Sequence, residues 1–581
     1  MKPSTLRQIS LLTAGLLLLA AVPLLGQSSD NESQGKFFLG VTGTDARDYL
    51  GKVAEYELAE QGVLPMLNAH GTAITRNFYL DFAAINRGDS RDQFYRVDID
   101  AGRVFSTRFL LNNFLHRLDH DPYSNLDTTQ ASGALLTYAT DMAPAHEYHA
   151  NVSEIQSRNT VRIPTASWLK LQVDYRRLDR DGSRQGSTMG KCYSCHVISQ
   201  PRPTDETLNE VKASVLAGTE RYGIEYAFLY RENKEATAAV DYLYDPAIHP
   251  ATLVDMFTNR VLYDNTNGPL PGNTVPTIKK TQHYIKAHYN FNDSTGLLGS
   301  VSYAEVENRD TGLSTTSQYY SGRFTTRLPH EITLNARFRY DTIDNDDVYV
   351  NLVEMTANAG PQAGRTYSQA YPDFGPADFT RQSALNRDDT QFDADILVPL
   401  PQRSRLGFTY EYRRTDREYE ESGLTEQQRF TVLFRTDARK PLSANIRYRF
   451  ETADHPFTNY QAAIEPIIQP YPSPGSTPFA GTQYYTLYES RLANLSNQPT
   501  NGHDLDVLGT WKPVANAGVT VHYNYKKQKN DELNYSDWSQ TYQMIGGDVY
   551  YIPEQRVSLT AGVNYTDYKT ETLLTEPVWN G

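Results

Sequence analysis

Five consecutive residues, Cys192-Tyr193-Ser194-Cys195-His196, set two thiols three positions apart with an imidazole beside the second, and they use both cysteines of the 581-residue chain. C-x-x-C-H is the spacing at which each thiol forms a thioether to one vinyl group of a porphyrin while the histidine falls beneath the iron as proximal ligand. Cys192, Cys195 and His196 are therefore expected to hold one covalent c-type haem, with His196 on the iron. Two other readings of the same residues are a C-x-x-C redox pair and coincidence. The sixth ligand is unspecified. Candidate donors are Met189, His116, His120, His146 and His149, and Met189, only three residues before Cys192, is awkwardly placed to reach the opposite haem face. A distal histidine favours a lower reduction potential than a methionine, and an open position allows small-molecule chemistry.

Other chemistry is weakly signalled. Asp344-Asn345-Asp346-Asp347 and Asp119-His120-Asp121 are acidic enough to attract a cation, but neither has EF-hand spacing, and acidic loop clusters are usually solvated faces. No nucleophile elbow, P-loop, H-E-x-x-H or dinucleotide fingerprint is present.

The elements that must position the C-x-x-C-H begin with an export signal. Lys2 and Arg7 supply a basic n-region, Ile9 to Leu25 an apolar h-region and Gly26 a small residue for cleavage, so residues 1–26 are expected to leave and residues 27–581 to form the mature protein. An uncleaved anchor is the competing reading, disfavoured by Pro23 and by the polar Gln27, Ser28 and Ser29. After Gln27 no run of eighteen apolar residues occurs and mean hydropathy is -0.57, which excludes transmembrane helices. A formal net charge of -14 argues against nucleic acid as a partner. Forty-one tyrosines with few aliphatic runs suit a barrel whose membrane band is bordered by aromatic girdles.

Hydrophobic alternation of period two runs through the second half. Ile332, Leu334, Ala336, Phe338 and Tyr340 alternate with Thr333, Asn335, Arg337, Arg339 and Asp341, and the stretches from Leu406, Leu442, Val519 and Val557 repeat the pattern. A soluble all-β protein also alternates. Three features favour a membrane barrel instead: the polar faces carry charges of both signs, the apolar faces end in Tyr or Phe, and short Pro-containing turns alternate with long polar stretches. The expected fold is all-β, a large antiparallel transmembrane β-barrel of about 20–26 strands with short periplasmic turns and long extracellular loops, integral to the bacterial outer membrane and bounded by its lipid.

Strands are expected near 36–43, 47–57, 72–86, 92–101, 104–118, 160–177, 208–218 and 222–232, then from 280 to 342 and from 389 to 568, with a weak one hidden near 133–160. By this parity the haem-motif loop, 178–208, rich in charge and glycine and carrying Pro201 and Pro203, belongs to the long-loop face. The chain then runs past its last clear strand into Thr575 to Gly581, read either as a short tail or as the place where closing strands are missing.

Signal, wide-barrel hairpins such as Ile332 to Tyr340 and Leu406 to Tyr412, and the haem motif together resemble the outer-membrane sheath proteins of porin–cytochrome conduits, the MtrB/PioB-type family. The resemblance spans essentially the whole mature chain and rests on architecture. It implies a sleeve that holds a periplasmic multihaem c-type cytochrome so that electrons cross to an exterior cytochrome, mineral or other acceptor, an electron-transfer component rather than an enzyme. Some members carry a C-x-x-C pair near the mature N-terminus; here the only pair, Cys192 and Cys195, lies within the haem motif. That departure leaves open whether the barrel only insulates a partner's haems or contributes one itself. The alternatives are a diffusion porin whose cysteines form a structural disulfide, and a haem or dithiol oxidoreductase on a barrel scaffold.

Overall fold

The computed structural model describes residues 32–44, 55–56, 62–87, 91–123, 127–129, 133, 135–137, 139–191, 196–242, 270–350, 369, 379–381, 383, 385–417, 424–436, 441–454, 499–530 and 538–571. The signal segment, the predicted strand near 47–57 apart from Glu55 and Tyr56, and Thr575 to Gly581 lie outside them.

A single 22-stranded sheet dominates the described residues. All its strands but one, from Glu32–Thr44 to Val557–Glu571, pair antiparallel with the next in chain order; the exception is the three-residue Ala139–Asp141, which joins His196–Gly218 in parallel. Strand number thus falls within the expected range and the fold is the expected large antiparallel barrel. At about 4.8 Å per strand and tilts near 40°, a cylinder of this many strands is roughly 40 Å across between backbones. The first and last strands run in the same direction, and among the described residues no ladder joins them.

Alternation in the sequence becomes two chemically distinct faces. Tyr226, Ile285, Val301, Tyr320 and Tyr340 form one continuous outward row, each opposite the next across four successive ladders. Tyr226, Ile285 and Val301 are each more than 40% exposed, as are Phe338, Ile396, Phe408 and Phe430, a surface that only lipid can satisfy. The inward positions are polar. Ser300 and Ser321 share a hydrogen bond of 2.7 Å, Asn335 donates to Asp395 at 2.6 Å, and Arg429 bridges Glu411 at 2.8 Å and Glu451 at 3.2 Å. Such a wall suits water or a polar occupant rather than an apolar core.

Connections differ in average length at the two ends. Residues 76–77, 102–104, 164–165, 219–221, 293–294, 328–332, 401–403, 436–441, 515–516 and 555–556 link strands at one end; 45–61, 87–92, 118–148, 192–195, 236–277, 309–313, 346–386, 418–424, 455–500 and 531–537 link them at the other. Several tight turns take two successive left-handed residues, His330 with Glu331 and Gln402 with Arg403, the backbone that matches the right-handed twist of hairpin strands. By the usual asymmetry the short-turn end is periplasmic. Two predicted segments divide differently: 72–86 is broken at Arg76-Asn77, a turn without Gly or Pro, and 160–177 straddles Pro164-Thr165, with the hidden strand now His149–Ile163.

Candidate functional site

Ala166–Lys191 and His196–Gly218 are the longest strands of the sheet, 26 and 23 residues, and they pair from Leu169 opposite Ala217 to Lys191 opposite His196. Their neighbours stop much earlier: His149–Ile163 ends against Ser183, and Tyr222–Glu235 against Glu206. Residues 184–191 and 196–205 therefore project as a two-stranded arm from the long-connection end, with the C-x-x-C-H at the connection of the hairpin. Cys192 and Cys195 lie outside the described residues, as does the side chain of His196, whose backbone opens the second strand.

The interval predicted as a loop, 178–208, is in its described part paired strand, on the face that the strand parity assigns. Its regularity escapes the hydrophobic pattern for a physical reason: beyond the membrane neither face of the arm meets lipid, so apolar and polar residues no longer alternate. Pro201 and Pro203, which look like loop markers, sit opposite Gln185 and Ser183 where the barrel neighbour on the other edge has not yet begun.

Gly182 lies where the arm leaves the wall. Its φ is +151°, and a Cβ there would meet the His149 carbonyl oxygen at 2.1 Å, so any larger residue forces the two strands apart.

Beyond Gly182, two long connections grip the arm. On one side Ala139–Asp141 pairs with Val197–Ser199. Asp141 accepts hydrogen bonds from Ser199 Oγ at 3.0 Å and the Ala143 N–H at 3.1 Å, and its other oxygen meets His120 Nε2 at 2.5 Å. Gln185 donates to Ser199 Oγ at 3.0 Å and to the Asp121 carbonyl at 2.7 Å, and accepts from the Asp121 N–H at 3.0 Å. Tyr123 meets Ser187 at 2.7 Å, and His146 meets Ser183 at 2.7 Å.

On the other side Glu235 accepts from Arg202 at 3.3 Å, the Asp205 N–H at 2.8 Å and both the N–H and hydroxyl of Thr237 at 3.1 and 2.7 Å. Gln200 donates to the Asp241 carbonyl at 2.9 Å, and Asn273 to the Ser187 carbonyl at 3.3 Å.

The largest fully buried side chains among the described residues, Arg202, Tyr148 and Ser199, all lie in this brace. Burial alone pushes the Asp141 carboxyl upward, but hydrogen bonds from His120, Ala143 and Ser199 outweigh it and hold the group below the usual carboxylate range. None of Asp141, Tyr148, Ser199, Arg202 and Glu235 belongs to a sequence motif, and each gains its role only through partners distant in the chain.

The candidate distal ligands separate along the arm. Met189 is opposite Val197, and Asp141, which bonds His120, also bonds Ser199, three residues or about 10 Å from His196 at roughly 3.3 Å per residue. His149 is opposite Ser183, eight residues or about 26 Å below Lys191, and His146 bonds the same serine. His116 lies opposite Ala150, deeper again. Only Met189 and His120 are thus at the level of the motif.

His116 and His149 instead line a cavity of about 450 Å³ against the inner wall with Tyr56, Phe114, Arg176 and Arg180. The Tyr56 ring stacks on His116 at 4.6 Å, and Glu55 bonds the same imidazole at 3.0 Å.

Among the described residues no group of three or more His, Cys, Asp or Glu could hold a metal ion. The acidic clusters accept backbone N–H groups: Asp119 from His120, Asp121 from Tyr123, Asp346 from Ser314 and Asp347 from Ser383.

The family described as "Putative outer membrane beta-barrel porin, MtrB/PioB" matches residues 157–466, more than half of the chain and including the whole arm. No curated protein matches the sequence. Similar solved structures include the copper transporter OprC (8% identity over 93% of this chain and 74% of that one, TM-score 0.44). Others are the FrpB iron transporter of Neisseria meningitidis (11%, 94% and 82%, 0.44) and a mutant ferric enterobactin receptor PfeA of Pseudomonas aeruginosa with enterobactin bound (8%, 93% and 76%, 0.46). Identities this low carry no information about cargo.

Proposed function

The chain belongs to the MtrB/PioB family of outer-membrane β-barrel porins, and from that premise we propose that it sheathes a multihaem c-type cytochrome for electron transfer across the outer membrane and holds one c-type haem of its own at Cys192, Cys195 and His196. The observation that supports this reading best is the braced arm. A porin has no need of a hairpin that outruns its neighbours by eight and ten residues and is gripped from both sides, whereas a redox group at a barrel mouth must be held at a fixed distance from its electron partners. The donor set, two thiols and an adjacent imidazole, fits c-type haem by its chemistry, and such a haem supplies one-electron transfer when bound.

The chain's own residues do the positioning. Gly182 lets the arm's strand approach His149 closely where it leaves the wall, Asp141 and Ser199 fix its outer strand against Ala139–Asp141, and Arg202 with Glu235 fixes the opposite flank. The inner wall, lined with paired charges, keeps an enclosed polar protein away from lipid.

The test is expression in a host with c-type haem maturation, read by spectrum and intact mass. Wild type is expected to gain one haem mass, and Cys192→Ala with Cys195→Ala to lose it. Absence of the increment while a control cytochrome is loaded overturns the haem claim. Failure of the solubilised barrel to co-purify with any multihaem cytochrome overturns the sheath claim. The paired charges of the inner face equally suit a water-filled pore, which keeps a second reading: a diffusion porin with a Cys192–Cys195 disulfide, for which free passage of small solutes without a partner is the expected result.

A further inference from the structure

On an antiparallel ladder, like charges directly opposite one another on one face repel, and opposite charges attract. Parts of the inner wall obey this, with Glu411 facing Arg429, Arg429 facing Glu451 and Arg447 facing Asp506, while the acidic pairs Asp341 opposite Asp389 and Asp393 opposite Glu411 are relieved by neighbouring arginines. Near the short-turn mouth three arginine pairs break the rule on the inward face: Arg108 opposite Arg158, which Asp98 and Asp174 neutralise, and two pairs less fully compensated. Arg405 lies directly opposite Arg435 next to the turns, and Arg323 lies directly opposite Arg337 four residues farther in. Arg327, the last residue of its strand, shares the inward face of Arg323.

These arginines are exposed, and among the described residues Arg323, Arg327, Arg405 and Arg435 have no carboxylate partner; Arg337 approaches Asp393 and Asp395 only at 3.7 and 3.6 Å. The chain carries 55 basic against 69 acidic residues, so composition alone does not concentrate positive charge here. The inward orientation keeps the band away from lipid phosphates. What remains is a repulsion that a negative occupant of the mouth would relieve.

We propose that the short-turn mouth is the docking surface of an acidic protein, whose carboxylates complete the ion pairs of Arg323, Arg327, Arg405 and Arg435. The proposal rests on the sheath reading and deepens it: with short turns facing the periplasm, the sheathed partner enters from that side and presents an acidic belt at the rim. Surface charges of this kind steer encounter and set orientation, so the interaction weakens as salt rises.

Two measurements test it separately from the sheath claim. In planar bilayers, polyglutamate added to the short-turn side is expected to block the ion current of wild type at low salt, with the block lost in Arg405→Glu/Arg435→Glu and retained in Arg405→Lys/Arg435→Lys. Equal block of wild type and the glutamate variant overturns the proposal. So does a variant that only reverses selectivity between chloride and potassium while polyglutamate never blocks, since the band would then be a filter for small anions.

The second measurement titrates the nanodisc-embedded barrel with the multihaem cytochrome that co-purifies with it, and the glutamate variant is expected to bind about tenfold more weakly at low salt. Unchanged affinity overturns the docking surface while leaving the sheath standing. If no cytochrome co-purifies, the sheath reading fails and the polyglutamate result still decides the chemistry of the mouth.

Discussion

Arg202 with Glu235 at the foot of the arm, and Arg429 between Glu411 and Glu451 on the barrel wall, are the same pair of chemical groups in opposite surroundings. The side chains of Arg202 and Glu235 are 2% and 3% exposed; those of Arg429 and Glu411 are 42% and 32%. An exposed ion pair is worth about 0–1 kcal/mol, because water already solvates both charges. Removing one partner of a buried pair costs about 3–5 kcal/mol, because the other charge stays desolvated and unpaired. The wall therefore owes its stability to its hydrogen-bonded ladders and the lipid around it. The arm, which has no lipid, owes its shape to a buried polar hub, and a defect there should be large and local.

The strongest way to break that contrast is Glu235→Ala. It strips acceptors from Arg202, Asp205 and Thr237 together, and about 3–5 kcal/mol of local stability should go with them. Hydrogen exchange is expected to show loss of protection over 196–205 while the wall strands Ser404–Arg417 and Thr425–Arg435 stay protected. Uniform loss of protection would mean that arm and wall unfold as one unit, contrary to the comparison.

Gly182→Ala ranks next. The left-handed backbone and the 2.1 Å approach to His149 predict roughly 1–3 kcal/mol of strain, relieved by parting the strands at this point. Limited proteolysis is expected to cut the arm of this variant sooner than that of wild type, with the barrel still running as a folded, heat-modifiable band on gels. Equal resistance in the two would show that the arm does not depend on this close approach.

Acidification sharpens the contrast without a mutation. Asp141 has its carboxyl held below the usual range, so its stabilising contribution is fully present above the ordinary aspartate value near 4 and is lost as pH falls through the lower, folded value. Exchange over 196–199, the strand beside Ala139–Asp141, is expected to rise in that window, and Asp141→Asn is expected to abolish the pH step. A step that persists in the variant would assign it to another group.

Much of the wall was legible in the sequence because lipid on one face and water on the other impose a period of two. The strands from Ile278 to Asn345 and from Arg387 to Glu571 follow that period closely. Legibility failed where the asymmetry of solvent fails. The arm, residues 184–191 and 196–205, meets lipid on neither face and packs against polar connections, and its Gly and Pro residues imitate a loop. Gly62–Thr75, which carries Pro65 and Gly71, is expected only from residue 72, so its end and Phe78–Asn86 read as one strand across a turn without Gly or Pro. The C-x-x-C-H was the plainest signal in the chain, yet the residues that brace it were invisible, since Asp141 and Glu235 matter only through pairings with Ser199 and Arg202.

The smallest expected effect lies on the wall, where Arg429→Gln removes a cation from between two carboxylates. Both partners are at least a quarter exposed and remain solvated, so the loss should stay within about 1 kcal/mol, and the barrel's unfolding midpoint should barely move. What should change is the field inside the pore: Glu411 and Glu451, freed of their shared cation, make the mid-wall more negative. Single-channel recording is therefore expected to show a shift toward cation selectivity with little change in stability. A large drop in stability instead would mean that inner-wall pairs carry structural weight comparable to the buried hub, and the distinction between wall and arm would have to rest on lipid contact alone.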